Sequence, residues 1–205
     1  MLLHDKLKEY DIILASASPR RRELLTATGI AYRTATKFEC EELYPATLAK
    51  EDVAAYLSAL KSHAYPFALE HNQILITADT TVVLDDEVLG KPRDEEDARA
   101  MIRRLAGREH SVITGVTLRN KERERSFSSL SRVRFSALSD EQIAYYVENY
   151  RPMDKAGAYG IQEWIGYIGI ESIEGSFYNV MGLPVQRLCR ELECFVEAYP
   201  ECLLG

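Results

Sequence analysis

The sequence predicts an α/β fold built on a mixed sheet. Two observations carry this prediction. Apolar, β-branched runs and amphipathic helical stretches intermix along the whole chain. Two alternating runs, 111–118 and 126–135, flank a charged tip at 120–125, the pattern of a long antiparallel hairpin. With 205 residues, 46% of them hydrophobic and 28% charged, the chain can bury one sizeable core, so a single domain over 1–205 is expected.

Taken in order, residues 12–15 form a short buried strand. Ser18 suits a helix N-cap and Pro19 a first helical position, since its φ is already set. Helix then runs over 20–28, and Gly29 suits a left-handed stop. Residues 32–36 alternate as a second strand, followed by an acidic loop, Glu39-Cys40-Glu41-Glu42, and Tyr44-Pro45. Val53, Leu57 and Leu60 lie at helical spacing, which predicts a helix over 51–65 that Pro66 ends. Residues 73–84, QILITADTTVVL, form a β-branched strand that turns at Asp85-Asp86 and returns through Val88-Leu89. Gly90-Lys91-Pro92 is a tight loop. Residues 94–106 form an amphipathic helix with acids in its first turn and arginines near its end, closed by Gly107. After the long hairpin, Ser139 and Gln142 space a capping box for a helix reaching about 149. The stretch after Pro152 is glycine-rich, and a last helix covers 184–197.

Charge and cysteines exclude several classes. Thirty-two acids against 25 bases give a net charge of −7, which opposes broad, sequence-independent nucleic-acid binding. The start, MLLHDKLKEYD, lacks the apolar region of a signal peptide, and no run is long enough to span a membrane. Cys40, Cys189, Cys194 and Cys202 form no Cys-x-x-Cys pair, so no zinc or redox motif is signalled and free thiols in the cytoplasm are expected.

Four stretches carry chemistry. In Ser16-Ala17-Ser18-Pro19-Arg20-Arg21-Arg22, three cations sit where the helix dipole is positive and unpaired N–H groups project. Such a start is unfavourable unless an anion sits there, and serine hydroxyls, free amides and guanidinium forks together suit phosphate. A solvated helix end with scattered arginines reads equally from this stretch alone. In Thr77-Ala78-Asp79-Thr80-Thr81, a carboxylate inside a β-branched strand is costly unless it is paired or ligates a metal. Asp79 is therefore a metal ligand, a general base or both; the plainer alternative is a strand-end acid capped by threonines. Lys91 is a point charge suited to phosphate or simply a solvated loop lysine. The stretch Asp154-Lys155-Ala156-Gly157-Ala158-Tyr159-Gly160-Ile161-Gln162 matches neither a Walker loop nor a dinucleotide fingerprint.

These stretches, in this order, resemble the Maf family of nucleotide pyrophosphatases. The similarity runs from Ser16-x-Ser18-Pro19-Arg20-Arg21 through Ala78-Asp79-Thr80, Gly90-Lys91-Pro92, Thr114-Gly115-Val116 and the 154–162 stretch to Tyr178-Asn179-Val180-x-Gly182-Leu183-Pro184. The resemblance implies a cytoplasmic hydrolase that cleaves a nucleoside triphosphate between the α and β phosphates. It implies a twisted mixed sheet flanked by helices in two lobes with a central cleft, like the inosine triphosphatase group, and a divalent cation, Mg²⁺ or Mn²⁺. It places the base at Asp79, metal oxygens at Asp79 and Glu42, and phosphate contacts at Arg20, Arg21, Lys61 and Lys91, with Ser16 and Ser18 at the helix start. On sequence alone, Glu42 also reads as one surface acid among several and Lys61 as a snorkelling helix lysine.

Within the family, Arg20, Thr80 and Gln162 stand where the dTTP/UTP subgroup is marked. An amide that both accepts and donates matches the N3–H and O4 of thymine or uracil. The resemblance thus implies hydrolysis of dTTP and UTP, or of modified pyrimidine nucleotides, with a homodimer possible by analogy. The alternatives are a 7-methyl-GTP pyrophosphatase or a non-enzymatic nucleotide-binding regulator of cell division. This chain departs from the pattern at Glu163, where glycine is usual, and at Ala17; Trp164 reads as a base-stacking ring or as packing.

Overall fold

Strand β1 (Asp11–Leu14) is an almost wholly buried apolar run. Its neighbours complete a seven-stranded sheet in a computed structural model that describes residues 1–197. The sheet order is β2 (Arg33–Thr34), β1, β3 (Gln73–Leu84), β5 (Glu109–Arg119), β6 (Glu124–Phe135) and β7 (Ile170–Glu174), with β4 (Glu87–Leu89) on β3. Strand β1 pairs parallel with β2 and β3, whereas β3–β4 and β6–β7 are antiparallel. The predicted mixed sheet is therefore present. The helices are α1 (Leu3–Lys6), α2 (Pro19–Ala27), α3 (Val53–His63), α4 (Glu95–Leu105), α5 (Asp140–Tyr150), α6 (Trp164–Gly169), α7 (Phe177–Met181) and α8 (Val185–Glu197).

The described residues group into two compact units. The first holds Met1–Asp79, Thr114–Ser129 and the chain from Gly182; the second holds Thr80–Ile113 and Leu130–Met181. In the first, Ile13, Ala15, Tyr65, Leu69 and Leu75 form an apolar cluster that Ala35 and Phe38 extend. Helix α3 is seated there by hydroxyl contacts as well as by apolar burial. Thr77 Oγ1 donates to the Ser58 carbonyl at 2.7 Å, and the Ser58 and Thr117 hydroxyls meet at 2.8 Å. A Cβ on Gly115 would lie 2.2 Å from the Ala54 carbonyl carbon, so strand and helix backbones touch there. In the second unit, His110, Phe135 and Tyr159 pack edge to face, and Tyr146 is fully buried.

Predicted and observed elements agree where periodicity is long. The helix cap at Ser18 and the full capping box of Ser139 and Gln142 form, and Asp94, read as the first residue of its helix, instead caps it by accepting from the Asp97 N–H. Gly29 and Gly107 take the left-handed conformation that ends their helices. The predicted helix over 51–65 begins instead as a 3-10 turn at Lys50–Asp52 and becomes α-helical at Val53. The predicted strand over 32–36 shortens to two residues. Helices α1, α6 and α7 and strand β7 have four to six residues each, too short to show a period in sequence. Cys40 and Cys189 are free thiols. Cys194 is disulfide-bonded, against the expectation of free thiols, and Cys202 lies outside the described residues.

Candidate active site

The first unit gathers most of the residues singled out from sequence. Strand β1 hands over to α2 through Ser16–Ser18, where the chain turns without helical or strand structure. The Ser18 backbone N–H donates to Ser16 Oγ at 3.2 Å, and Ser18 Oγ caps α2 by accepting from the Arg21 N–H at 3.5 Å. No acid stands in the first turn of α2, so beyond the Ser18 cap its positive end meets no carboxylate of its own first turn.

Arg21 turns back from this helix start toward β3. Its Nη1 donates to the Ala78 carbonyl at 2.7 Å, and its Nε donates to the Gly182 carbonyl at 2.7 Å. Burial pushes its guanidinium below the ordinary arginine value; Asp79 and Glu42 oppose that push, and Arg20 adds to it. The fork therefore braces the carbonyl just before Asp79 while placing its charge within reach of both acids. Arg20 is half-buried on the preceding position, and Arg22 is exposed.

Asp79 is 8% exposed on β3. Its Oδ1 receives the Lys61 Nζ at 2.5 Å, and the same ammonium lies 3.1 Å from Glu42 Oε2. Lys61 is thus more than a snorkelling surface lysine: α3 aims it at the strand, because the seating at Ala54, Ser58 and Ser62 fixes that helix face inward. Glu42 comes from the exposed acidic loop, and the ion pair draws it to the same ammonium. Cys40 shares this surrounding, and burial raises its thiol pKa.

Two carboxylates converging on one cation form a hard-oxygen donor set. That set fits Mg²⁺ or Mn²⁺, ions that take one or two carboxylates and complete their shell with water and phosphate oxygens. No group of three or more His, Cys, Asp or Glu residues gathers among the described residues, so an all-protein metal cage does not form there.

The second unit holds the remaining candidates. Thr80 follows Asp79 along β3 and is half-buried; Lys91 is exposed on its loop. The Gly157 N–H donates to the Gly90 carbonyl at 3.0 Å, which ties the Gly90-Lys91-Pro92 loop to the 154–162 stretch. Gly157 takes φ +69°, a left-handed conformation that favours glycine, and a Cβ built there would stand a tight 3.0 Å from the Val82 side chain. Gln162 is half-buried, and its Oε1 atom is buried without a hydrogen-bond partner among the described residues. Trp164 meets Tyr145 at 4.8 Å between ring centroids, which favours the packing alternative for that ring. Sequence alone assigns no role to Lys155, yet it is 7% exposed and paired with Asp154 and Glu163. The available signal was a lysine within an apolar, glycine-rich run.

No helix among the described residues is long and apolar enough to cross a membrane. Comparison with known proteins is consistent with these motifs. The Maf-like protein family matches residues 11–195. A protein of Phocaeicola vulgatus named dTTP/UTP pyrophosphatase is 53% identical over 92% of this chain and 98% of its own length. A protein of the same name from Porphyromonas gingivalis is 52% identical over 95% of this chain and 98% of its own. Among solved structures, the HAM1 protein of Coxiella burnetii covers 90% of this chain and 98% of its own, at 14% identity and a TM-score of 0.45. A family match over nearly the whole length, with about half of all positions identical in full-length relatives, shows that the chain belongs to the Maf family.

Proposed function

We propose that this chain hydrolyses dTTP and UTP to the nucleoside monophosphate and pyrophosphate. The observation that carries the reading is the buried Asp79 carboxylate held by Lys61, with Glu42 on the same ammonium and the Arg21-braced helix start beside it. The relatives at about half identity, named dTTP/UTP pyrophosphatase, support the same reading.

In this reading Ser16, Ser18, Arg20, Arg21, Lys61 and Lys91 bind the triphosphate, because phosphoryl transfer depends chiefly on positioning and charge neutralisation. Asp79 accepts a proton from the water that attacks the α-phosphorus. The bond from that phosphorus to the α–β bridging oxygen breaks, and pyrophosphate leaves. Glu42 and Asp79 would hold Mg²⁺ or Mn²⁺, which when bound supplies further neutralisation of phosphate charge. Thr80 and Gln162 select the base: the Gln162 amide, which can both accept and donate, suits the N3–H and O4 of thymine or uracil. Action as one Maf domain in the cytoplasm, and pairing as a homodimer, rest on the family resemblance.

A panel of nucleoside triphosphates with monophosphate and pyrophosphate assayed separately tests the reading. Turnover of dTTP and UTP ahead of dCTP and of 7-methyl-GTP is expected. Asp79→Asn is expected to lower kcat by at least about a hundredfold, the usual range for a lost general base, with nucleotide binding retained. Turnover of dTTP by that variant at the parent rate removes Asp79 from the base role; binding without turnover in the parent protein would make the chain a nucleotide binder.

A further inference from the structure

Two carboxylates and two cations meet around Asp79. The Lys61 ammonium lies 2.5 Å from Asp79 Oδ1 and 3.1 Å from Glu42 Oε2. Both acids also act on the charge of Arg21. The acidic charge is thus already matched by the protein's own cations. A divalent ion drawn to the same oxygens meets two positive groups in place before it.

The two cations are held in different ways. Arg21 donates through Nε to the Gly182 carbonyl and through Nη1 to the Ala78 carbonyl, each at 2.7 Å. Backbone therefore fixes the guanidinium, whichever way the carboxylates turn. Lys61 is held instead by the two carboxylates themselves. Its ammonium ends a flexible four-carbon stem and has three donors that rotate, so it can change acceptors without any backbone movement. The root of the stem is firm, because α3 is seated through Ser58 on Thr77 and Thr117. Glu42 keeps 42% of its side-chain surface exposed and can follow either cation.

A hard divalent ion takes one or two carboxylates and fills its shell with water and phosphate oxygens. Asp79 Oδ1 and Glu42 Oε2, the oxygens that hold Lys61, belong to the carboxylates it needs. A triphosphate tail resolves the conflict, since its anionic oxygens are strong acceptors for the displaced ammonium.

We propose that Lys61 is an exchangeable counter-ion: it competes with the divalent ion for Asp79 and Glu42, and releases them when a triphosphate tail arrives to take its ammonium. This inference rests on the reading of Glu42 and Asp79 as metal-holding residues and of Lys61 as a phosphate contact. It adds an order to that reading. Metal binds weakly without nucleotide, the two ligands reinforce each other, and Lys61 is the residue that couples them.

The test measures Mn²⁺ binding directly, from the electron paramagnetic resonance signal of the free ion, with no turnover involved. The parent protein, Lys61→Met, Asp79→Asn and Glu42→Gln are compared without nucleotide, with melting temperature as the check on folding. Lys61→Met keeps an apolar stem and removes the charge. Its Mn²⁺ affinity is expected to rise about tenfold or more, because two cations sharing one carboxylate repel strongly even under water-like screening. Mn²⁺ should also raise the melting temperature of Lys61→Met more than that of the parent, since the ion replaces the lost ammonium. A dTTP analogue with a methylene bridge between the α and β phosphates should tighten Mn²⁺ binding to the parent by about fivefold or more, and by a smaller factor in Lys61→Met. General structural damage would weaken Mn²⁺ binding instead. Unchanged or weaker Mn²⁺ affinity in a folded Lys61→Met overturns the proposal; should that variant not fold, Lys61→Gln is read the same way. Absence of coupling between analogue and Mn²⁺ in the parent overturns it without any variant. Parent-like Mn²⁺ binding in both Asp79→Asn and Glu42→Gln removes the metal assignment itself, a separate outcome.

Discussion

Removing Lys61 would leave Asp79 as a buried carboxylate without its ammonium partner. Breaking a buried ion pair from one side costs about 3–5 kcal/mol, more than the pair itself contributes, because the surviving charge has been taken from water. The Lys61 and Asp79 side chains keep 16% and 12% of their surface exposed, so the lower end of that range applies. Lys61→Met is expected to lose about 3 kcal/mol in urea unfolding, and adding Asp79→Asn is expected to restore most of it. Equal stability of Lys61→Met and the parent would show that the pair is not desolvated. The same pair shows what one residue can and cannot announce. Asp79 was legible because an acid among Ile, Val and Thr has few structural uses. Lys61 was ambiguous, since a long cationic side chain on a helix reads as surface until the facing strand is known. Glu163 showed only as a departure from the family pattern, because its partners Tyr146 and Lys155 lie 17 and 8 positions away in the chain.

Helix α3 delivers Lys61 only as accurately as it is seated on β5. That seat depends on Gly115, whose position within Thr114-Gly115-Val116 gave no reason for the glycine in sequence. A Cβ there would lie 2.2–2.3 Å from the carbonyl group of Ala54 and the nitrogen of Ala55. Gly115→Ala must therefore push the helix backbone outward, and overpacking of this kind costs about 1–3 kcal/mol or more. The variant is expected to lower both the unfolding midpoint and kcat, since Lys61 moves with the helix. Ala54→Gly should fail to rescue it, because the collision is with backbone and not with the Ala54 methyl; recovery of the parent midpoint in the double variant would refute the contact. At this scale the long elements were legible from caps and periods: Ser18 and Ser139 each begin the helix they predict, and the acids and arginines of 94–106 mark the ends of theirs. What sequence lacked was the short furniture of the glycine-rich stretch, α6, β7 and α7, where five or six residues and Gly166 or Gly169 mask any repeat.

The order of the sheet depends on pairings between distant strands, which local pattern does not encode; only the β3–β4 and β5–β6 hairpins could be read as neighbour pairs. One consequence of bringing such strands together is a histidine sealed inside the second unit. His110 on β5 is 3% exposed, its Nε2 lies 2.7 Å from the Tyr159 hydroxyl, and Phe135 meets its ring edge-on. Burial pushes its pKa down from 6.5 to about 4, because the charged imidazolium would lose its hydration. The sign of the linkage follows. Between pH 6.5 and about 4 the unfolded chain holds a proton that the folded chain does not, so acid favours unfolding over that window. Above it, His110 is neutral in both states and contributes no slope. The full contribution is on the order of 3 kcal/mol at the acid end, given 1.36 kcal/mol for each pH unit. His110→Gln keeps a polar partner for Tyr159 and cannot titrate. Urea midpoints measured from pH 7.5 to 4.5 should therefore fall less steeply in the variant than in the parent, with the two curves separating below about pH 6.5. Parallel curves across the whole range would mean that the imidazole takes up its proton without unfolding the unit that encloses it.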